Sequence, residues 1–316
     1  MRVWIENSSQ HVDKLKGKSL FCKRLSQEFI KLGVEVVDGT QAADISLNVI
    51  RIKHHRSKKK LLRIDGVWHD TAKNFRQKNK ALSQSIKEAD GVVYQSEFAR
   101  NMADRYLGVA KCPTRVIFNG TDPEIYNIES AKFNKKVFIA FSKWRPHKRL
   151  RDIIKSFLLA DIKNSQLLII GNVDNCGIPK HEFDTLIKHK DIEYIGSLPQ
   201  SKLIPILKGS TASIHLCWFD ACPNSVVEAI CAGVPVITNN VGGTWEIVAP
   251  SGGFVCNVDK PYDLNPVDLY NPPKIDRNLI AQAMIKCAEN RPVINNTHVN
   301  IKNTAKEYLE FMREIL

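Results

Sequence analysis

Residues 220–246, DACPNSVVEAICAGVPVITNNVGGTWE, set two carboxylates, Asp220 and Glu228, eight positions apart around the start of a helix. A Gly-Val-Pro-Val strand and a Gly-Gly turn follow them. Pro223 suits the first helical turn, where its missing N–H costs nothing, so Asn224 and Ser225 offer backbone donors to an anion at a helix N-terminus. Glu228 lies one turn deeper, where a carboxylate can accept hydrogen bonds from the diol of a sugar ring. Phosphates at the helix start and a diol below them describe a nucleotide diphosphate. On spacing alone two readings stay open: an ordinary capped helix before a buried strand, and a nucleotide site.

Outward from this stretch, short β-branched apolar runs alternate with longer segments of helical periodicity. Strands are expected near Arg2–Glu6, Val34–Val37, Ile45–Ile50, Leu61–Asp65, Gly91–Gln95 and Arg115–Asn119 in the first half. The second half gives Lys136–Ser142, Gln166–Gly171, Ile192–Gly196, Ala212–Leu216, Pro235–Asn239 and Gly253–Cys256. Between the first two strands, Leu20, Leu25, Phe29 and Leu32 share one helical face, and Gly33 closes that helix. Such alternation predicts parallel sheets covered by helices on both faces. The polar stretch Thr121–Lys136 separates one set of strands from the next. The expected organisation is therefore α/β, with a Rossmann-like domain over 1–130 and a second over 131–302. A C-terminal helix, 303–316, shows Ala305, Tyr308, Leu309 and Met312 on one side and is a candidate to cross back to the first domain. Ligands of such sheets bind beyond the carboxyl ends of the strands, so two facing sheets would form a central cleft.

A chain of 316 residues fits two domains of ordinary size. Its formal net charge of +13 is uneven, since residues 1–132 hold 24 Lys+Arg against 15 Asp+Glu. The densest part, Arg51–Arg63 (RIKHHRSKKKLLR), is either a solvated loop or a surface for an anionic membrane, an acidic polymer or nucleic acid. Eight scattered cysteines form no CxxC pair, and no His cluster has metal-ligand spacing, which fits reduced thiols in a cytosol and no bound metal. No apolar run approaches the roughly 20 residues needed to span a bilayer. A cytoplasmic protein, at most peripheral to a membrane, is expected.

Three further segments carry possible chemistry. Gly17-Lys18-Ser19 mimics the end of a P-loop, but Val12 stands where that motif needs glycine, which rejects a nucleotide triphosphatase. Gly17 is kept as a turn before a helix that lets backbone approach a ligand. The run FSKWRPHKRL, Phe141–Leu150, places Lys143, Arg145, Lys148 and Arg149 in one loop at the end of a strand. That many cations suit a diphosphate, the alternative being a solvated face. His147 reads as a turn residue rather than a base. In LLRIDGVWHD, Leu61–Asp70, a buried-looking strand ends in polar groups, of which Asp65 or His69 could orient or deprotonate an acceptor hydroxyl. The bland alternative is a strand-ending turn with Asp65 as its cap.

Taken in order, RIDGVWHD, ADGVVYQSEFA (Ala89–Ala99), VIFNGTD (Val116–Asp122), SKWRPHKR (Ser142–Arg149) and the opening stretch resemble a family 4 glycosyltransferase of the GT-B arrangement. The resemblance spans nearly the whole chain. It implies that Glu228 binds the ribose of a nucleotide sugar and that Asp220, aspartate where the family usually has glutamate, lies near the transferred sugar. Lys143 stands in the place of the family's phosphate-binding arginine, Lys148 matches its lysine, and Arg145 is a possible substitute. Where many relatives have a glycine-rich first loop, this chain has Asn7-Ser8-Ser9 and only Gly17. The implied reaction is metal-independent transfer of a sugar, with retention, from a nucleotide-diphosphate donor to a hydroxyl of a glycan, lipid-linked or small-molecule acceptor. The donor is a substrate, no separate cofactor is implied, and no nucleic-acid partner is expected. Absence of an Asp-x-Asp motif agrees with metal independence. Two other classes stay open: a non-catalytic polyanion or nucleic-acid binder acting through Arg51–Arg63, and a GT-B sugar-nucleotide epimerase.

Overall fold

The computed structural model describes residues 1–6, 8, 18–53 and 55–316. Gly17, and Asn7 and Ser9 of the first loop, lie outside the described residues. The chain divides into two compact units, Met1–Asp122 with Leu264–Val267 and Thr297–Leu316, and Pro123–Asp263 with Asp268–Asn296.

The first unit contains β1 (Arg2–Ile5), α1 (Lys18–Lys31), β2 (Glu35–Val37), β3 (Ala43–Val49), β4 (Ser57–Ile64), α2 (Phe75–Glu88), β5 (Gly91–Tyr94), α3 (Glu97–Leu107) and β6 (Thr114–Val116). Its strands form one sheet in the order β2-β1-β3-β4-β5-β6, and every pairing is parallel. Alternate residues Val3 and Ile5 of β1, Ile45, Leu47 and Val49 of β3, and Leu61 of β4 enter one core with Phe21, Leu25 and Phe29 of α1. The run Lys58–Lys60 opens β4 instead of lying in a loop, with Lys58 paired to Asp44 and Lys59 to Asp90.

The second unit contains β7 (Lys136–Phe141), α4 (Leu150–Ala160), β8 (Ser165–Ile170), α5 (Lys180–Leu186), β9 (Ile192–Gly196), α6 (Gln200–Gly209), β10 (Ala212–His215), α7 (Asn224–Cys231), β11 (Val236–Asn239), α8 (Thr244–Ser251), β12 (Phe254–Cys256) and α9 (Arg277–Glu289). Its sheet runs β12-β11-β10-β7-β8-β9, again all parallel. Phe138 and Ala140, Leu167 and Ile169, and Ile214 face Ile153, Phe157 and Met284, and each fully buried apolar side chain contributes roughly 2 kcal/mol. Strands buried on both faces must be apolar almost throughout, which is why short apolar runs marked them in the sequence. The expected Rossmann-like α/β architecture is the one observed.

The last helix, α10 (Ile301–Ile315), returns to the first unit. Asn300 caps it by accepting from the Lys302 N–H at 3.0 Å. Ala305, Tyr308, Leu309 and Met312 all lie in the first core. No described helix is long and apolar enough to cross a membrane.

Candidate functional site

In the second sheet the strand order reverses between β7 and β10, and the loops leaving these neighbours diverge at their carboxyl ends. That is the place where open α/β sheets bind ligands. The loop after β7 is held down hard. The indole of Trp144, 3% exposed, donates to the Ile170 carbonyl at 3.0 Å, and the Trp144 N–H donates to Asn172. At the end of β8, Gly171 has φ +114°, and a Cβ there would lie 1.8 Å from the Ser142 carbonyl oxygen. Only glycine lets the two strand ends come so close. Pro146 then opens one short 3-10 turn, Pro146–Lys148, that aims Lys148 across to the neighbouring loop.

There Lys148 Nζ donates to Asp220 Oδ2 at 2.7 Å. Two residues that the sequence reading assigned separately, one to phosphate and one to the transferred sugar, are thus brought into one ion pair. Burial alone would lower the Lys148 pKa, but the adjoining Asp220 carboxylate more than offsets it and holds the ammonium well above the usual lysine range. Burial likewise works to raise Asp220, and Lys148 overrides it, keeping the carboxylate below its ordinary value. The main chain of Asp220 is fixed as well, because its carbonyl accepts from the Gly243 N–H at 2.8 Å. Gly242, at φ +82°, packs so closely that a Cβ would meet the same oxygen at 3.0 Å.

Beneath the pair lie two groups that no sequence motif announced. His215, 5% exposed, ends β10 with Nδ1 3.4 Å from the Ser225 hydroxyl oxygen. Burial, reinforced by Lys148, pushes its imidazole down to about 3, so it is neutral at physiological pH. The Cys217 thiol is pushed up to about 12 by burial and donates to the Phe219 carbonyl. Ligand atoms of His215, Cys217 and Asp220 fall within 4.8 Å of one another, a donor set a metal could use. The Lys148 ammonium already supplies a positive charge in this cluster.

α7 begins just beyond, with Pro223 as its N-cap and Asn224 its first residue, one position later than the sequence suggested. Pro223, as N-cap, makes no side-chain hydrogen bond to it. Asn224, Ser225 and Glu228 are all half-buried along this first stretch. The four cations of the β7 loop separate. Lys143 is exposed, Arg145 donates to the Tyr270 hydroxyl at 3.2 Å, and Lys148 meets Asp220. Arg149, read from the sequence as a fourth cation of the ligand edge, instead turns inward to Asp259. His147 is a turn residue as expected, its ring stacked on Tyr270 at 5.5 Å and 4°.

The first-unit candidates lie at the carboxyl end of β4. Arg63, 1% exposed and 4.1 Å over the Phe21 ring, pairs with Asp65 at 3.2 Å and donates to Asn119 at 2.9 Å. Gln95 donates to Asn119 and Asp65. Asp65 is therefore the accessible end of a polar network rather than an isolated turn cap. His69 is partly buried beside Tyr106, and burial holds its imidazole below the usual value. The Val267 N–H donates to the His69 carbonyl, a long-range contact the local sequence did not signal.

HepE from Anabaena, solved with UDP-glucose, is 13% identical with TM-score 0.64 over 99% of both chains. AviGT4, a glycosyltransferase of avilamycin A biosynthesis, is 15% identical with TM-score 0.63 over 99% of this chain and 97% of that one. The fold is GT-B. A trehalose-6-phosphate synthase studied for glycosyltransfer with retention aligns at 10% identity and TM-score 0.61 over 96% and 81% of the two chains. Residues 122–265, most of the second unit, match the family model of glycosyl transferases group 1. Among curated proteins none matches the chain in sequence. Lys148, Asp220, Asn224, Ser225 and Glu228 all fall within the matched region of the GT-B chain.

Proposed function

We propose that the protein is a retaining glycosyltransferase of family 4, moving a sugar from a nucleotide-diphosphate donor to a hydroxyl of a glycan, lipid-linked or small-molecule acceptor. The observation that carries this reading is the Lys148–Asp220 pair at the switch point of the second sheet, beside the start of α7. Glu228 binds the ribose. Asp220, its charge retained by Lys148, lies at the transferred sugar. Lys148, with Lys143 or Arg145 and the first turn of α7, meets the negative charge that develops on the departing diphosphate. Each such preorganised contact is worth roughly 2–4 kcal/mol of barrier. The ammonium beside Asp220 supports catalysis without a metal ion or separate cofactor. Asp65 and His69 of the first unit are assigned to the acceptor hydroxyl. Retention is supported by the fold shared with trehalose-6-phosphate synthase, and a UDP-sugar donor by the fold shared with HepE. The protein works in the cytoplasm, its basic first unit suited to an anionic membrane surface rather than to nucleic acid.

The test is a thermal-shift titration with UDP-, GDP- and ADP-sugars, since a ligand bound only by the folded state raises its stability. One of them stabilises the wild type, and Glu228→Ala weakens that ligand by about 10- to 100-fold, the loss expected for a charged hydrogen bond. Unchanged affinity in a folded Glu228→Ala protein would sink the assignment.

A further inference from the structure

Lys148 is followed by a residue in an unusual state. Arg149 has φ +52° and ψ +40°, the left-handed conformation that side-chain-bearing residues seldom adopt, while capping the start of α4. Its side chain is wholly buried, and so is its partner's. The guanidinium makes a bidentate contact with Asp259, 2.8 Å from Nη1 to Oδ2 and 2.6 Å from Nη2 to Oδ1. Asp259 is in turn fixed from β11. Asn239 donates to its carboxylate at 2.8 Å, and the Asn240 side chain accepts from the Asp259 N–H at 2.9 Å and donates to its carbonyl at 3.0 Å.

These contacts form a chain of rigid links. The end of β11 holds Asp259, Asp259 holds Arg149, and the left-handed turn at Arg149 sets the direction in which the preceding Lys148 leaves the backbone. A glycine would meet the backbone requirement without strain, so the arginine is not explained by turn geometry. A buried charge pair is also a weak source of net stability. What the pair supplies is direction: a fork-to-fork contact fixes both the position and the plane of the guanidinium.

We infer that Arg149 and Asp259 are positioning residues, a buried clamp whose purpose is to fix the Lys148 ammonium against Asp220 and so to aim it at the donor's diphosphate. Its geometry stands on this chain alone, and its consequence for the diphosphate rests on the donor-site reading above. Without the clamp the turn at Arg149 relaxes, Lys148 swings between conformers, and its ammonium spends part of its time away from the carboxylate that keeps it protonated.

Amine acylation reads this directly on the whole, ligand-free protein. The intact protein is pulsed with acetic anhydride at mildly alkaline pH, and modification of Lys148 is measured by peptide mass spectrometry against the exposed Lys163. In the wild type Lys148 is strongly protected. Arg149→Gly, which keeps the left-handed turn accessible, and Asp259→Asn each raise its labelling by about tenfold or more, the change that one unit of amine pKa produces. The double variant, which removes both buried charges, does the same if Asp259→Asn alone folds poorly. Phe157→Ala, a core truncation on α4, gives the labelling that lost stability alone produces. Lys148 labelling in the clamp variants no higher than in Phe157→Ala overturns the proposal. A second arm separates it from the donor reading, because the clamp variants weaken UDP but not uridine. If the wild type binds none of UDP, GDP and ADP while Lys148 protection still depends on the clamp, the donor assignment fails and the positioning role stands.

Discussion

His215 shows how a single buried side chain can set the acid limit of this molecule. Its imidazole, ordinarily near 6.5, is held at about 3 in the folded chain by burial and by the neighbouring Lys148. A depressed imidazole binds its proton in the unfolded chain first. Its contribution is therefore complete above about pH 6.5 and is lost progressively as the pH falls toward 3. Between pH 6.5 and 4.5 that loss amounts to about 2–3 kcal/mol, at about 1.4 kcal/mol per pKa unit. His69 is depressed in the same direction and adds to the slope. Denaturant titrations at the two pH values should show the wild type losing at least this much stability. In His215→Gln the drop should be smaller by about 2–3 kcal/mol, and an unchanged drop would mean that His215 titrates normally. The Lys148–Asp220 pair is unaffected in this window, since the carboxylate is held below its usual range and the ammonium above its own.

Among the elements, strands were legible and their partners were not. A strand such as β7, KVFIAF, or β8, SQLLII, is buried on both faces over its last four residues and is apolar there. Its presence is written locally. The same holds for the start of α7, where proline and two small polar residues mark a helix N-terminus. The clamp is different: Arg149 and Asp259 are 110 positions apart, and Arg145 and Tyr270 are 125 apart, so nothing near either residue signals the other. Arg149 in particular looked like one more surface cation because charge patterning cannot tell a guanidinium that faces a carboxylate inside the fold from one that faces water. The Gly242-Gly243 turn was legible as a turn but not as the support of Asp220. That support is testable at the level of the loop. Gly242→Ala forces a side chain into φ +82° and brings its Cβ to 3.0 Å from the Asp220 carbonyl oxygen. It should cost about 1–3 kcal/mol of stability by thermal melting. The displaced Asp220 should also weaken nucleotide-sugar binding, whereas a variant with wild-type melting and binding would show that the turn gives way freely.

At the scale of the whole chain, the first unit is completed only by its last residues. Ile301, Ala305, Tyr308, Leu309, Phe311, Met312 and Ile315 of α10 all enter the core built by β1, β3, β4 and α1. Two glycines mark how close the approach is. A Cβ at Gly91 would lie 2.3 Å from Ile315 Cδ1, and one at Gly120 would lie 2.7 Å from the Ile301 Cα. If α10 is needed to close this core, residues 1–122 complete their fold during synthesis only after the second unit has been made. Tyr308, fully buried against Phe21, is the natural place to break this link. Tyr308→Ala should cost about 3–5 kcal/mol, as large-to-small aromatic truncations do. Hydrogen exchange should show the loss in β1, β3 and α1, all far before the substitution in sequence, while β7, β8 and β10 keep their protection. Equal loss in both sheets would mean that the units unfold as one, and loss confined to α10 would mean that the helix only covers a core already complete without it.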